Sequence, residues 1–273
     1  MSLRSIIRLL FAGGLLVCLT GGALAAKHTV LVVMAHRDDH LSIAPLLAKY
    51  AAEGHTVHFA MFTGLQDDTR EELMCASRVL GVKETFVMRP PTGDANATAR
   101  RVERAGEKAF AERMIQIIDQ TRPDVIVTWG PDGLSGHPGH ILVSNLITRL
   151  FQQQALLKHK PRKLYYVAYP ETRLPDKRLP IGVLASGSDQ GEELAGPFGT
   201  VSDIFITTRI DGRSHLKQTR EAIACFTIPK GELNKEWQNQ WYERLATTLG
   251  GTVSLRRVMP ASGGRETDIF KGL

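Results

Sequence analysis

Val30-Leu31-Val32-Val33-Met34-Ala35-His36-Arg37-Asp38-Asp39-His40, running on into Leu41 to Ala52, decides the fold. The first six residues are a short, valine-rich apolar run, the signature of a strand buried on both faces. From Leu41 to Ala52 the apolar residues recur at helical spacing. Between strand and helix stand two imidazoles, two carboxylates and a guanidinium, with no glycine among them. A turn that cradles the phosphates of a dinucleotide is glycine-rich, so that class is disfavoured here.

The same alternation continues downstream. Thr56 to Phe62, Thr85 to Met88 and Asp124 to Trp129 read as strands. Glu71 to Leu80, Glu107 to Gln120 and about Gly139 to Phe151 read as helices, the first stopped by Gly81. Strand–helix alternation implies right-handed crossovers, hence an α/β, Rossmann-like, mostly parallel sheet flanked by helices. Lys163 to Ala168 and Ile204 to Thr208 read as further strands, and His215 to Ala224 and Glu232 to Leu245 as helices. The Pro- and Gly-rich stretch Glu171 to Gly199 is too long for an ordinary connection. It reads as a lid or substrate loop, or equally as a disordered insertion.

A length of 273 residues, with 43% hydrophobic and 23% charged residues, suits one large globular domain, residues 26–273. Residues 1–25 differ. Arg4 and Arg8 precede an apolar run from Leu9 to Leu24, and Ala23-Leu24-Ala25 offers a small-x-small cleavage site. This predicts a signal peptide and a periplasmic or secreted protein. The alternative is a membrane anchor formed by residues 9–25. After cleavage no stable membrane insertion is expected. The formal charge of +6, reduced by loss of Arg4 and Arg8, is too small an excess to argue for nucleic acid. Of three cysteines, Cys18 leaves with the leader. Cys75 and Cys225 remain, either bridged in an oxidising compartment or as two buried thiols. Oligomeric state is not legible.

Two polar clusters carry the chemistry: His36 to His40 after the first strand, and His137-Pro138-Gly139-His140 after the strand Asp124 to Trp129. Each follows a strand of the same parallel sheet, so both lie at its carboxyl edge, where open α/β sheets bind ligands. His36, Asp39 and His140 would supply the three N and O ligands of a catalytic zinc. Iron(II) or cobalt(II) would also accept that set. Asp38 is then left as general base and His137 as stabiliser of the oxyanion or donor to the leaving amine. A capping role for Asp38 or Asp39, and surface positions for the two histidines, is the competing account of each residue alone. Two tight clusters meeting at the functional edge favour the metal site.

At these residues the chain resembles the LmbE/PIG-L family of zinc-dependent N-acetylglucosaminyl deacetylases. The family pattern is a strand ending in Ala-His-Pro-Asp-Asp-Glu; here Ala35-His36-Arg37-Asp38-Asp39-His40 stands. The second pattern, Gly-His-Pro-Asp-His, reads Gly136-His137-Pro138-Gly139-His140. The helix around Glu71-Glu72 closing at Val79 to Val82, and the tail Glu266 to Leu273, are similar too. The resemblance implies zinc on His36, Asp39 and His140, with Asp38 as general base and His137 as stabiliser of the tetrahedral intermediate. The implied reaction is hydrolysis of a linear amide, releasing acetate from an N-acetylglucosamine-type sugar, glycan or glycolipid. A zinc amidase on another small amide, or a carbohydrate-binding relative with impaired turnover, are the alternatives. Arg37 replaces a proline, His40 a glutamate and Gly139 an aspartate. Ala224-Cys225-Phe226-Thr227 stands where a His-x-Ser-Gln element is common. Trp129 reads as a sugar platform or a core residue, and Trp237 and Trp241 as core. The basic run Lys158 to Lys163 is a solvated loop unless it faces the site rim.

Overall fold

The computed structural model describes residues 26–62, 67–88, 107–173, 200–226, 250–261 and 264–273, together with Glu243, Ala246 and Leu249. The leader 1–25, Trp237, Trp241, nearly all of the expected helix Glu232 to Leu245, and all of the Pro/Gly-rich stretch beyond Arg173 up to Gly199 lie outside the described residues.

The chain runs β1 (Thr29–Met34), a 3-10 turn (Asp39–Ile43), α1 (Ala44–Ala52), β2 (Thr56–Met61), α2 (Asp67–Val79), β3 (Glu84–Val87), α3 (Glu107–Thr121) and β4 (Val125–Thr128). It continues with a helical turn (Gly133–Gly136), α4 (Pro138–Gln152), β5 (Lys163–Val167), β6 (Tyr169–Pro170), β7 (Thr200–Val201), β8 (Thr208–Asp211), α5 (Leu216–Ala224) and β9 (Thr252–Met259). The sheet order is β3-β2-β1-β4-β5-β9-β8. The first five are parallel, and β9 runs antiparallel to both β5 and β8. β6 and β7 form a separate two-stranded ribbon.

β1 is buried on both faces because alternate residues serve opposite cores. Val30, Val32 and Met34 join Leu46, Leu47, Leu73 and Ile223 on one side of the sheet. Leu31 and Val33 join Met114, Ile117, Ile118, Val143 and Ile147 on the other. Helices α1, α2 and α5 therefore cover one face, and α3 and α4 the other. The sheet grows outward from β1 in one direction through β2 and β3, and in the other through β4 and β5. Between β1 and β4 the connections leave to opposite faces, opening a crevice at the carboxyl ends of both strands.

Two strand expectations need correction. Ile204 to Thr208 is not a strand. Asp203–Phe205 is a 3-10 turn, with Ile204 81% and Phe205 54% exposed, and β8 begins at Thr208. The Asp203 carboxylate accepts from Thr172 N and Oγ1 and pairs with Arg209, which holds the chain in a turn. β9 has no counterpart in the sequence reading. Cys75 and Cys225 are joined as a disulfide, with Cα atoms 5.7 Å apart. Among the described residues no helix is long and apolar enough to cross a membrane.

Candidate functional site

His36 stands two residues past β1, and Asp39 folds back over the end of that strand. Asp39 Oδ2 accepts the backbone N–H of Ala35 at 3.0 Å and of His36 at 2.9 Å. The indole Nε1–H of Trp129 donates to the same oxygen at 3.0 Å. Burial works against ionisation of Asp39, but the neighbouring His140 and His36 outweigh it and hold the carboxyl well below the usual carboxylate range. The pull is mutual. Burial opposes a charge on His36, and the carboxylates of Asp39 and then Asp38 overcome it and raise its pKa.

The second cluster is delivered by the turn after β4. His137 is the N-cap of α4, and Pro138 opens the helix, where its missing N–H costs nothing. The preceding turn places Gly133 at φ 64° and Leu134 at φ 62°, a conformation rare for a branched side chain. It aims the Gly133 carbonyl at His140 Nδ1, 2.9 Å away. A carbonyl only accepts, so Nδ1 of His140 carries its proton and Nε2 presents a lone pair. The Trp129 ring stacks on His140, centroids 4.6 Å apart and 13° from parallel.

The lone pair of His140 points at the first cluster. His140 Nε2 lies 3.1 Å from His36 Nδ1 and 3.4 Å from Asp39 Oδ2, and His36 Nδ1 lies 3.4 Å from Asp39 Oδ1. Ligand atoms about 2.0–2.1 Å from a tetrahedral zinc are about 3.3 Å from one another. The three side chains therefore stand close to the spacing of such a shell, with Asp39 facing His140 through Oδ2 and His36 through Oδ1. The ring of His137 packs against His36 and His140, with centroids 4.5 and 4.9 Å away. Donor atoms of these three histidines lie within 4.8 Å of one another, a second possible ligand set. Its hydrogen bond sets His137 apart. His137 Nδ1 accepts the N–H of Gly139 at 3.0 Å, so the neutral ring keeps its proton on Nε2 as a donor. Burial, with His36 and His140 adding to it, pushes its pKa down to about 3.

Asp38 is 6% exposed. Its carbonyl accepts from Leu41 N at 2.9 Å, but its side chain does not cap the 3-10 turn that follows. The carboxylate acts electrostatically on His36. The helix-cap account thus fails for Asp38, and the Asp39 carboxylate is turned back toward Ala35 and His36.

The remaining sequence candidates resolve as follows. Trp129 is 1% exposed, so it is a buried wall of the site and no sugar platform. His40 is fully buried against Phe59. Burial lowers its pKa to about 4, so the ring is neutral. The Arg37 guanidinium pairs with Glu72 of α2. The run Lys158 to Lys163 leads into the amino end of β5, opposite the crevice. Lys158 N and His159 N are tied to Asp119, and Lys163 Nζ is buried on the carbonyls of Ile269 and Lys271. Sequence reasoning missed Trp129 as a donor to Asp39, Gly133 as the acceptor for His140, and Glu72 and Phe226 as neighbours of Arg37. Only the position of Trp129 at a strand end hinted at its role.

Comparisons with known proteins converge on these elements. A family model described as PIG-L, GlcNAc-PI de-N-acetylase, matches residues 31–151, from β1 to α4, and so includes both clusters. A 1D-myo-inositol 2-acetamido-2-deoxy-alpha-D-glucopyranoside deacetylase of Thermobifida fusca is 30% identical over 241 residues, covering 71% of this chain and 80% of that protein. The protein of the same description from Streptomyces scabiei is 25% identical over 311 residues, with 90% of each chain covered. Among solved structures, the 4-carboxy-2-hydroxymuconate hydratase GalB of Pseudomonas putida KT2440 superposes with a TM-score of 0.54 at 15% identity, covering 86% of this chain and 98% of that one. That likeness shows a shared fold; a hydratase on it is a reminder that the scaffold does not choose the reaction.

Proposed function

The chain belongs to the PIG-L (LmbE) family, and from that premise we propose that it is a metal-dependent hydrolase removing the N-acetyl group of an N-acetylglucosamine-type sugar or conjugate. The observation that carries the proposal is the mutual spacing of 3.1–3.4 Å among His36 Nδ1, Asp39 and His140 Nε2. These three would hold the cation, zinc by preference, with iron(II) or cobalt(II) compatible with the same donors. When bound there, such an ion acidifies water toward neutrality and polarises the acetyl carbonyl.

The chain's own groups supply the rest. Asp38 takes the proton of the attacking water and returns it to the departing amine, so that acetate and a free amino sugar leave. His137, packed against His36 and His140, offers an Nε2–H donor that would stabilise the oxyanion of the tetrahedral intermediate. The Gly139 N–H on its Nδ1 fixes that tautomer, so orientation of His137 does not need an aspartate at position 139. Asp38 is accordingly the proton carrier, and His137 a hydrogen-bond donor.

The test combines metal analysis with acetate release from a panel of N-acetylated amino sugars and their inositol conjugates. Asp38→Ala is expected to retain zinc and lose nearly all turnover, and Asp39→Ala to lose zinc as well. Full activity of Asp38→Ala would remove it as the base. Zinc with release of a different acid would favour the amidase reading, and zinc with no product the binding-protein reading. We further propose that the protein is exported. The disulfide supports this, since such bonds persist in oxidising compartments. N-terminal sequencing of the protein from an exporting host should begin at Ala26; a start at Met1 on membrane-bound protein would favour the anchor.

A further inference from the structure

The residues that carry the proposed chemistry from β1 occupy an irregular loop. It is held from inside by the hydrogen bonds to Asp39 Oδ2. From outside, its fixing point is Arg37, which lies between His36 and Asp38. Among the described residues, the Arg37 guanidinium meets Glu72 and Phe226. Its Nη1 pairs with Glu72 of α2, at side-chain exposures of 19% and 11%. Its Cζ lies 5.5 Å over the ring of Phe226, just beyond α5. An arginine that combines a buried-edge ion pair with a ring contact is held in position as well as charge.

The two jaws of this clamp are themselves joined. Cys75 lies three residues, one helical turn, after Glu72, and Cys225 immediately precedes Phe226; the disulfide unites them. Phe226 also approaches His40, ring centroids 6.3 Å apart, which packs in turn on Phe59 of β2. We propose that Arg37 is a positioning residue that sets His36, Asp38 and Asp39 for catalysis, through a clamp of Glu72 and Phe226 braced by Cys75–Cys225. This rests on the reading of His36, Asp39 and His140 as cation ligands. A loop gripped at one point only would let ligands and base drift, and displacements near 1 Å are enough to cost rate.

The experiment compares the wild-type protein with Arg37→Met, Glu72→Gln, the charge-reversed pair Arg37→Glu with Glu72→Arg, and the pair Cys75→Ala with Cys225→Ala. Zinc affinity is read by competition with a chromophoric chelator, alongside kcat, KM and thermal unfolding. Arg37→Met and Glu72→Gln are expected to weaken zinc binding by about tenfold, the usual scale for groups supporting metal ligands. They should also lower kcat and leave KM unchanged. The charge-reversed pair should recover part of both, and the disulfide-free pair should shift zinc affinity in the same direction as Arg37→Met. If Arg37→Met fails to fold, the reversed pair decides: recovered fold and zinc binding support the clamp, and failure to recover overturns it. Arg37→Met and Glu72→Gln with wild-type zinc affinity and kcat would overturn the clamp while leaving the catalytic reading intact. A wild-type protein that binds no cation would overturn both.

Discussion

Asp39 shows how much of a buried carboxylate's behaviour is set by the N–H groups around it. Of the three N–H groups on its Oδ2, only the indole of Trp129 comes from outside its own loop. Trp129→Phe keeps an aromatic ring against His140 and deletes that donor. A hydrogen bond to a buried charged group contributes about 1.5–3 kcal/mol, and the variant should lose stability on that scale in denaturant titrations. Zinc affinity should fall with it; unchanged affinity would mean that the backbone donors suffice. Gly139 makes a second, opposite case. A Cβ there would lie 3.2 Å from His137 Nδ1 and 3.3 Å from His36 Nε2. Gly139→Ala should gain a few tenths to about 1 kcal/mol from helix propensity. It should nevertheless lose turnover, because both imidazoles must give way. A variant that is more stable and equally active would show that the rings tolerate the shift. The meeting of the His36–Asp39 segment with His137 and His140 was legible in sequence because strand ends at one sheet edge predict convergence. The tautomers were not, since each is set by a backbone group, Gly133 or Gly139, whose direction depends on the folded turn.

At the scale of elements, the turn between β4 and α4 concentrates the strain. Gly133 at φ 64° has Ile141 Cγ1 2.6 Å from where a Cβ would be, and its carbonyl holds His140. Gly133→Ala should destabilise by about 1 kcal/mol or more, and should weaken zinc binding through the misdirected carbonyl. Calorimetry and chelator competition check both effects. β2 carries a group expected to make stability depend on pH. His58 is 5% exposed beside Phe86, with Glu84 4.0 Å away, and burial lowers its pKa below 6.5. Below that pH the unfolded chain takes up a proton that the folded chain refuses. Stability should therefore fall as pH drops through 6.5 toward the lower folded value. His58→Asn should flatten that limb of the pH–stability curve, and an unaltered slope would assign it to other groups. The parallel strands were legible as short apolar runs. β9 was not, because Arg256 and Arg257 interrupt its alternation. Arg257 is accommodated by donating to the carbonyls of Pro260 and Ala261 and by pairing with Glu266 from the tail, a partner that local pattern cannot reveal. Ile204 and Phe205 misled in the other direction, as apolar residues that face outward on a turn.

Over the whole molecule, one covalent bond and one late strand tie the two halves together. The disulfide spans 150 residues. A cross-link closing a loop of that length restricts the unfolded chain by about 5 kcal/mol in the chain-entropy account. Cys75→Ala with Cys225→Ala should lower the denaturation midpoint accordingly, and a change under about 1 kcal/mol would mean that the unfolded state is already compact. β9, between β5 and β8, covers an edge of β5 that would otherwise lie open. The order of synthesis gives this arrangement a cost. A nascent chain holds every proposed ligand residue by His140, well before Cys225 or β9 has emerged. In that interval it carries an unsealed sheet border and a lone thiol, the conditions for clumping and for cross-linking between neighbouring molecules. If export removes residues 1–25 and Cys18 with them, as proposed, no third cysteine is left in the chain to capture Cys75. Faulty oxidation would then appear as dimers on a non-reducing gel and never as a scrambled monomer.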